Sequence, residues 1–195
     1  ADPAGARQRL RLDLGELVDT LTFRPVVEAE LPEGFPGFAA VGEVELRRYP
    51  AYRMVRTEMR NGQNGAFWPL FRHIESNGIA MTTPVQTDWN EQSTRPGSMA
   101  FLYGDPAIEP ASTADNVEVV DVEAATWLSI GATGYDRKAA VEALQGRLLD
   151  ALAAPGCAWE LAGPMRTMSY NSPMVRGDDR YYEVQVPVRP RAVLR

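Results

Sequence analysis

Cysteine and histidine each occur once in the 195 residues, as Cys157 and His73. A lone cysteine excludes an internal disulfide. One cysteine and one histidine together are too few soft ligands for a structural zinc site. Lysine also occurs once, as Lys138, so the basic residues are almost all arginine. The 20 Lys+Arg are outweighed by 26 Asp+Glu, for a net charge of −6. No basic stripe is gathered anywhere, which argues against a nucleic-acid partner. Local arginines still permit an anionic small ligand. No apolar run approaches the roughly 18 residues of a membrane helix. Glycine-rich phosphate loops and the G-x-S-x-G elbow are missing too. The adjacent acidic pair Asp178-Asp179 sits in a turn, where solvated charge is the default.

What is present is ordinary globular material, 45% hydrophobic and 24% charged, enough for one domain with an appendage. The start, Ala1-Asp2-Pro3-Ala4-Gly5, fits an exported chain after signal removal as well as a cut within a longer one. A soluble chain is expected, with cytoplasm and export both open. Residues 1–40 are read as an amphipathic helix and a linker. Leu10, Leu14, Leu17 and Leu21 recur along one helix face, and Pro25, Pro32, Gly34, Pro36 and Gly37 follow.

Residues 41–190 form the domain proper. Val44 and Leu46 alternate with charged residues as a strand that Pro50 interrupts, and extended chain resumes at Tyr52. A turn at residues 61–65 leads to a short helix, residues 66–76, with Phe67, Leu70, Phe71 and Ile74 on one stripe. Pro69 is compatible only with its first turn. Strands are expected at residues 79–89, bent at Pro84, and at 98–103. The order then recurs. An extended segment covers residues 117–133. A helix runs from an Asp136 N-cap to about Ala153, and extended chain follows at 159–170 and 181–188. The reading is α+β: two βαββ units, about residues 41–104 and 117–188, forming a distorted antiparallel barrel flanked by two helices. Met81-Thr82-Thr83-Pro84 and Tyr170-Asn171-Ser172-Pro173 echo each other after the two helices.

Histidine and methionine are haem ligands by type. At about 100° per residue, His73 falls roughly 110° from the centre of its helix's apolar stripe, on a flank predicted to be half exposed. Met81 reads as core filler as well as ligand.

Several segments resemble the SOUL haem-binding protein family. They are Glu45-Leu46-Arg47-Arg48-Tyr49-Pro50-Ala51-Tyr52, the helix from Phe67 to Ile74, Ile79-Ala80-Met81-Thr82-Thr83-Pro84-Val85, Ser169-Tyr170-Asn171-Ser172-Pro173 and Tyr182-Glu183-Val184. They follow the family's order over residues 41–188. The resemblance implies the double βαββ barrel and non-catalytic binding of haem or a related tetrapyrrole in an apolar groove. It places the family's proposed axial histidine at a position held here by Arg48. It also implies groove positions at Phe67, Phe71, Arg72, Tyr170 and Arg176, and Met81 joins them as a candidate binding residue by its type. The helical wheel sets Arg72 opposite the stripe, so Arg72 and Phe71 cannot both enter one narrow groove. Phe67, Phe71 and Met81 read equally as plain core. Arg47, Arg48, Arg53, Arg56, Arg166 and Arg180 are further candidates for meeting ligand carboxylates. Two other readings stay open: a general binding domain for small apolar molecules, and an enzyme acting on such a molecule, for which no catalytic constellation is seen.

Overall fold

The computed structural model describes residues 23–192. The predicted amphipathic helix, with Leu10, Leu14, Leu17 and Leu21 on its face, therefore lies outside the described residues. Among them are nine strands in one antiparallel sheet and two α-helices. In chain order these are β1 Val44–Tyr49, β2 Tyr52–Glu58, α1 Gly62–Ser76, β3 Val85–Trp89, β4 Pro96–Leu102, β5 Glu118–Val122, β6 Ala125–Thr133, α2 Lys138–Ala153, β7 Trp159–Leu161, β8 Arg166–Ser169 and β9 Tyr181–Pro190. A 3₁₀ turn at Gly177–Asp179 precedes β9.

The sheet order is β1-β6-β9-β8-β3-β4-β2-β5, with β7 also paired to β9. β4 thus lies between β2 and β3, as β9 lies between β6 and β8. The expected repeat of strand, helix, strand, strand is present, and its halves meet where β3 pairs β8. The sheet curls because its ends are continuous in sequence. Tyr49 faces Ala125 and Tyr52 faces Val122, so three residues along one strand match three along the other. β1–β2 and β5–β6 are therefore one long ladder broken only at Pro50-Ala51, where proline removes a donor. That ladder draws the sheet into a half-barrel. The two echoing bends lie side by side, with the Thr83 hydroxyl donating to the Tyr170 carbonyl at 2.8 Å.

Strand alternation then sorts the side chains. One face packs under the helices. Val55, Met99, Phe101 and Tyr103 lie beneath Ala66, Leu70 and Ile74 of α1. Ile130, Tyr182, Val184, Val186 and Val188 lie beneath Val141, Leu148 and Leu152 of α2. The other face lines the barrel interior, where Arg47, Gln86, Ser129, Arg166, Glu183 and Gln185 are buried together with apolar side chains such as Met54, Leu102 and Met168. Residues 23–40 cross the mouth as a strap without regular structure.

Three local expectations are corrected. α1 begins at Gly62, so Pro69 falls inside it rather than in its first turn. The helix tolerates the lost bond to Gly65 because Leu70, His73 and Ile74 anchor the turns that follow. Asp136 does not cap α2. Arg137 holds that position, and the Asp136 carboxylate accepts from the Ser169 hydroxyl at 3.0 Å. Residues 79–84 are not strand.

Leu148 is fully buried under α2. Leu148→Ala is expected to destabilise the protein by about 2–5 kcal/mol in urea denaturation, without loss of the native circular dichroism.

Candidate functional site

Two places gather the candidate residues: an aromatic ledge on α1 and the barrel interior.

On α1, Gln63, Phe67 and Phe71 are spaced four apart and share a flank of the helix. The Phe67 and Phe71 rings stack with centroids 5.8 Å apart and 14° between planes. Trp68 meets both edge-on, at 5.6 and 6.0 Å, and is 56% exposed. Phe67 and Phe71 are half-buried and, with Met81, pack against the core beneath α1. They are therefore both core and surface, which a wheel alone does not separate.

At the start of this flank, Gln63 and residues Tyr135, Asp136 and Arg137 line a hollow of about 320 Å³. The Tyr135 ring is half exposed, and the Arg137 and Arg180 guanidinium carbons lie 5.6 and 5.2 Å from its centroid. Gly177 permits this packing, because a Cβ there would stand 2.8 Å from the Tyr135 ring. Arg180 also donates to the carbonyls of Ser172 and Asn171 at 2.6 and 3.1 Å, which fixes the loop before β9. Arg137 and Tyr135 were not singled out in the sequence. Their signal was the short G-Y-D-R run, read only as a helix start.

Other candidates fall elsewhere. Arg72 is exposed, and its Nε donates to the Trp68 carbonyl at 3.3 Å. Arg176 is exposed at the 3₁₀ turn. Arg48 points outward from β1, because its neighbours Arg47 and Tyr49 take the interior side. Arg53 is held by Asp121 and Arg56 by Glu118. A larger cleft, about 870 Å³, lies at the ends of β2, β4 and β5. Its Arg56 and Arg60 are paired with Glu118 and Glu58, and Asp115 lines it along with Arg95, so its rim carries no net positive charge.

His73 is not the half-exposed flank residue the wheel predicted. It is 4% exposed, and its Nε2 lies 2.8 Å from the Tyr103 hydroxyl, with the two rings stacked. The curled sheet rises beside α1 on this flank, so β4 and Tyr103 cover a position that a flat contact leaves open. Burial lowers the His73 pKa and pushes the Tyr103 hydroxyl up to about 12. Among the described residues no group of three His, Cys, Asp or Glu is placed to hold a metal ion.

Tyr170 is not on the ledge. It lies inside the barrel, one of several groups around Glu183, which has no exposed surface. Glu183 Oε1 accepts from the Tyr170 hydroxyl (3.1 Å) and the Ala39 amide (3.0 Å), with the Tyr181 hydroxyl at 3.0 Å. Oε2 accepts from Ser129 (2.9 Å) and Gln185 (2.6 Å), with Arg47 Nε at 3.7 Å. Burial, and next the adjacent carboxylate, raise the pKa values of Tyr49, Tyr170 and Tyr181. Their hydroxyls stay protonated and serve as donors. Burial alone would lower the Arg47 pKa, but Glu183 and Tyr49 more than offset it, so the guanidinium stays charged. Arg166 is 1% exposed. Neutral acceptors hold it: Gln185 Oε1 at 2.8 Å, the Tyr52 hydroxyl at 2.9 Å and Gln86 Oε1 at 3.3 Å. Its guanidinium carbon lies 3.6 Å from the Trp127 ring centroid and 4.7 Å from that of Tyr49.

Two outcomes follow. A histidine whose pKa is lowered by folding contributes stability that is full above its unfolded value near 6.5 and is lost as pH falls through its folded value. Urea midpoints of the wild type are expected to drop between about pH 7.5 and 5, and His73→Gln to remove that component of the slope. Glu183→Ala strands Arg47 and the buried tyrosine hydroxyls, and is expected to cost about 3–5 kcal/mol in the same assay, with Glu183→Gln milder.

Comparison with known proteins gives the fold neighbours and the family. The C-terminal domain of EcmrR superposes with a TM-score of 0.59 at 12% identity, covering 76% of this chain and 98% of that one. A hydrolase from Listeria innocua gives 0.56 at 10% identity, covering 78% and 94%. EcmrR in its complex with DNA gives 0.61 at 10% identity, covering 76% and 57%. At such identities the likeness is one of fold. No curated protein matches the sequence. The family model of the SOUL haem-binding proteins matches residues 36–187. That match spans both helices and the curled sheet except the last three residues of β9, and the chain belongs to the SOUL haem-binding protein family.

Proposed function

We propose that the protein binds a flat apolar ligand of the tetrapyrrole class, haem or a relative, on the α1 ledge and without turnover. The observation that carries this reading is the partly exposed aromatic triad Phe67, Trp68 and Phe71, which ends at a hollow flanked by two arginines. Exposed aromatic surface of this kind is usually covered by a ligand or partner. A tetrapyrrole needs apolar walls and cations for its propionates. Phe67, Phe71 and Trp68 supply the walls, and Arg137 and Arg180 stand at the rim. Haem would bring an iron centre to such a surface. The donor set does not offer the iron an axial histidine, because His73 is buried against Tyr103 and Arg48 occupies the family's ligand position. Binding on this reading is to the macrocycle, not the metal. The family membership supports it, and the half-barrel fits a ligand-binding domain.

Titration with ferric haem is expected to give a saturable Soret shift and quenching of tryptophan emission. Iron-free protoporphyrin IX is expected to bind within about threefold of haem, and Trp68→Ala to weaken both about tenfold. His73→Gln should leave the haem spectrum unchanged. No saturable change at micromolar haem would sink the proposal. A protoporphyrin far weaker than haem would overturn the absence of an iron ligand.

A further inference from the structure

Small barrels usually fill their interior with apolar side chains. This one is mixed. Buried apolar side chains such as Met54, Leu102 and Met168 share the interior face with a carboxylate, two guanidiniums and several tyrosines. Arg47 Nε and Arg166 Nη2 are buried with no hydrogen-bond partner among the described residues. Unmet buried donors are destabilising, so the fold alone gives no reason to keep them.

The mouth of this interior is closed by the strap. Phe35 meets Tyr49 and Tyr52 edge-on at 5.1 and 5.2 Å. Phe38 packs on Tyr170 and Tyr181 at 5.0 and 5.4 Å. Between these rings the strap's backbone does the polar work. The Ala39 amide donates to Glu183, the Ala39 carbonyl accepts from Tyr181 at 2.7 Å, and the Gly37 carbonyl accepts from Arg47. The strap lies against Gly131, where a Cβ would stand 2.6 Å from the Tyr181 hydroxyl oxygen and 2.9 Å from the Ala39 carbonyl oxygen.

We infer that the barrel interior is a second binding site, for a small aromatic amide, and that residues 35–40 occupy it as a built-in competitor. The strap defines the chemistry. A ligand must present a ring to the tyrosines, an N–H to Glu183 and a carbonyl to Arg47 and Tyr181. A primary or secondary amide beside an aryl group has all three. Residues 35–40 have no regular structure, whereas β3, β6, β8 and β9 around the site are each paired on both sides and β1 on one. This site is distinct from the α1 ledge, and its probe carries no tetrapyrrole.

The test uses the full chain and N-acetyl-phenylalaninamide. Phe35→Ala with Phe38→Ala removes the rings that seat the strap and leaves Glu183, Arg47 and Tyr181 in place. Calorimetric titration is expected to show saturable binding to this variant, about tenfold or more tighter than to wild type. Adding Glu183→Gln to it should abolish that binding. Equal binding to wild type and the double variant, or none to either with native circular dichroism retained, overturns the inference. Should the double variant not fold, Phe38→Ala alone replaces it under the same criteria. Hydrogen exchange on the wild type decides independently. The Ala39 amide is expected to exchange at least about 100-fold faster than that of Val184 through opening of the strap alone. Equal protection of the two amides rules out a strap that opens.

Discussion

The carboxylate of Glu183 is the point on which the barrel's interior depends. A charge taken this far from water is tolerable only when donors converge on it. Here they come from separate parts of the chain: Tyr49 and Arg47 on β1, Ser129 on β6, Gln185 on β9, Tyr170 after β8 and the Ala39 amide of the strap. No one hydrogen bond holds the two βαββ halves in register. The requirement that all of them be made at once does, and it also fixes where the strap runs. A slip of one residue in β9 would exchange Glu183 and Gln185 for Tyr182 and Val184, placing a charge under α2 and leaving the donors unmatched.

That constraint explains a division of labour. The two larger apolar layers lie beneath the helices, and the smaller clusters on the interior face leave room for the polar groups around Glu183. The same division shapes the outer surface. α1 uses Leu70 and Ile74 to hold the sheet and leaves Phe67, Trp68 and Phe71 at its margin, where burial is incomplete. A helix needing those rings for stability alone would bury them. Their half-exposed state is the physical ground for placing a flat ligand there.

Much of this was legible in the sequence. Strand and helix order, the repeat and the break at Pro50 follow from local pattern and turn chemistry, and the echo at residues 81–84 and 170–173 marks the bends that meet. The tertiary consequences of curling were not legible. Tyr181, Glu183 and Gln185 alternate with Tyr182, Val184 and Val186, and such alternation ordinarily means a solvated face. Only closure of the β1–β2 and β5–β6 ladder turns that face inward. His73 failed for the same reason, since a wheel assumes a flat partner and the sheet here rises beside the helix. Tyr170 belonged to a recognisable motif, but a motif does not say which side of a strand end its ring takes. The strap, read as an irregular linker, carries phenylalanines whose role appears only against the tyrosines they meet.

The strap and the ledge share one loop. Glu28 on the strap accepts from the Ser172 amide and hydroxyl at 2.6 and 2.7 Å, and the Val26 carbonyl accepts from Asn171 at 2.7 Å. Arg180 binds the carbonyls of the same two residues and lies beside Tyr135 at the ledge's hollow. Asn171 in turn accepts from the Tyr181 amide at 2.8 Å, beside Glu183. A strap that lifts releases Ser172 and Asn171 on one side, and these anchor Arg180 on the other. The Ser172 hydrogen bonds hold the Glu28 carboxyl below its ordinary value, so this latch is intact at neutral pH and weakens only as acid protonates Glu28.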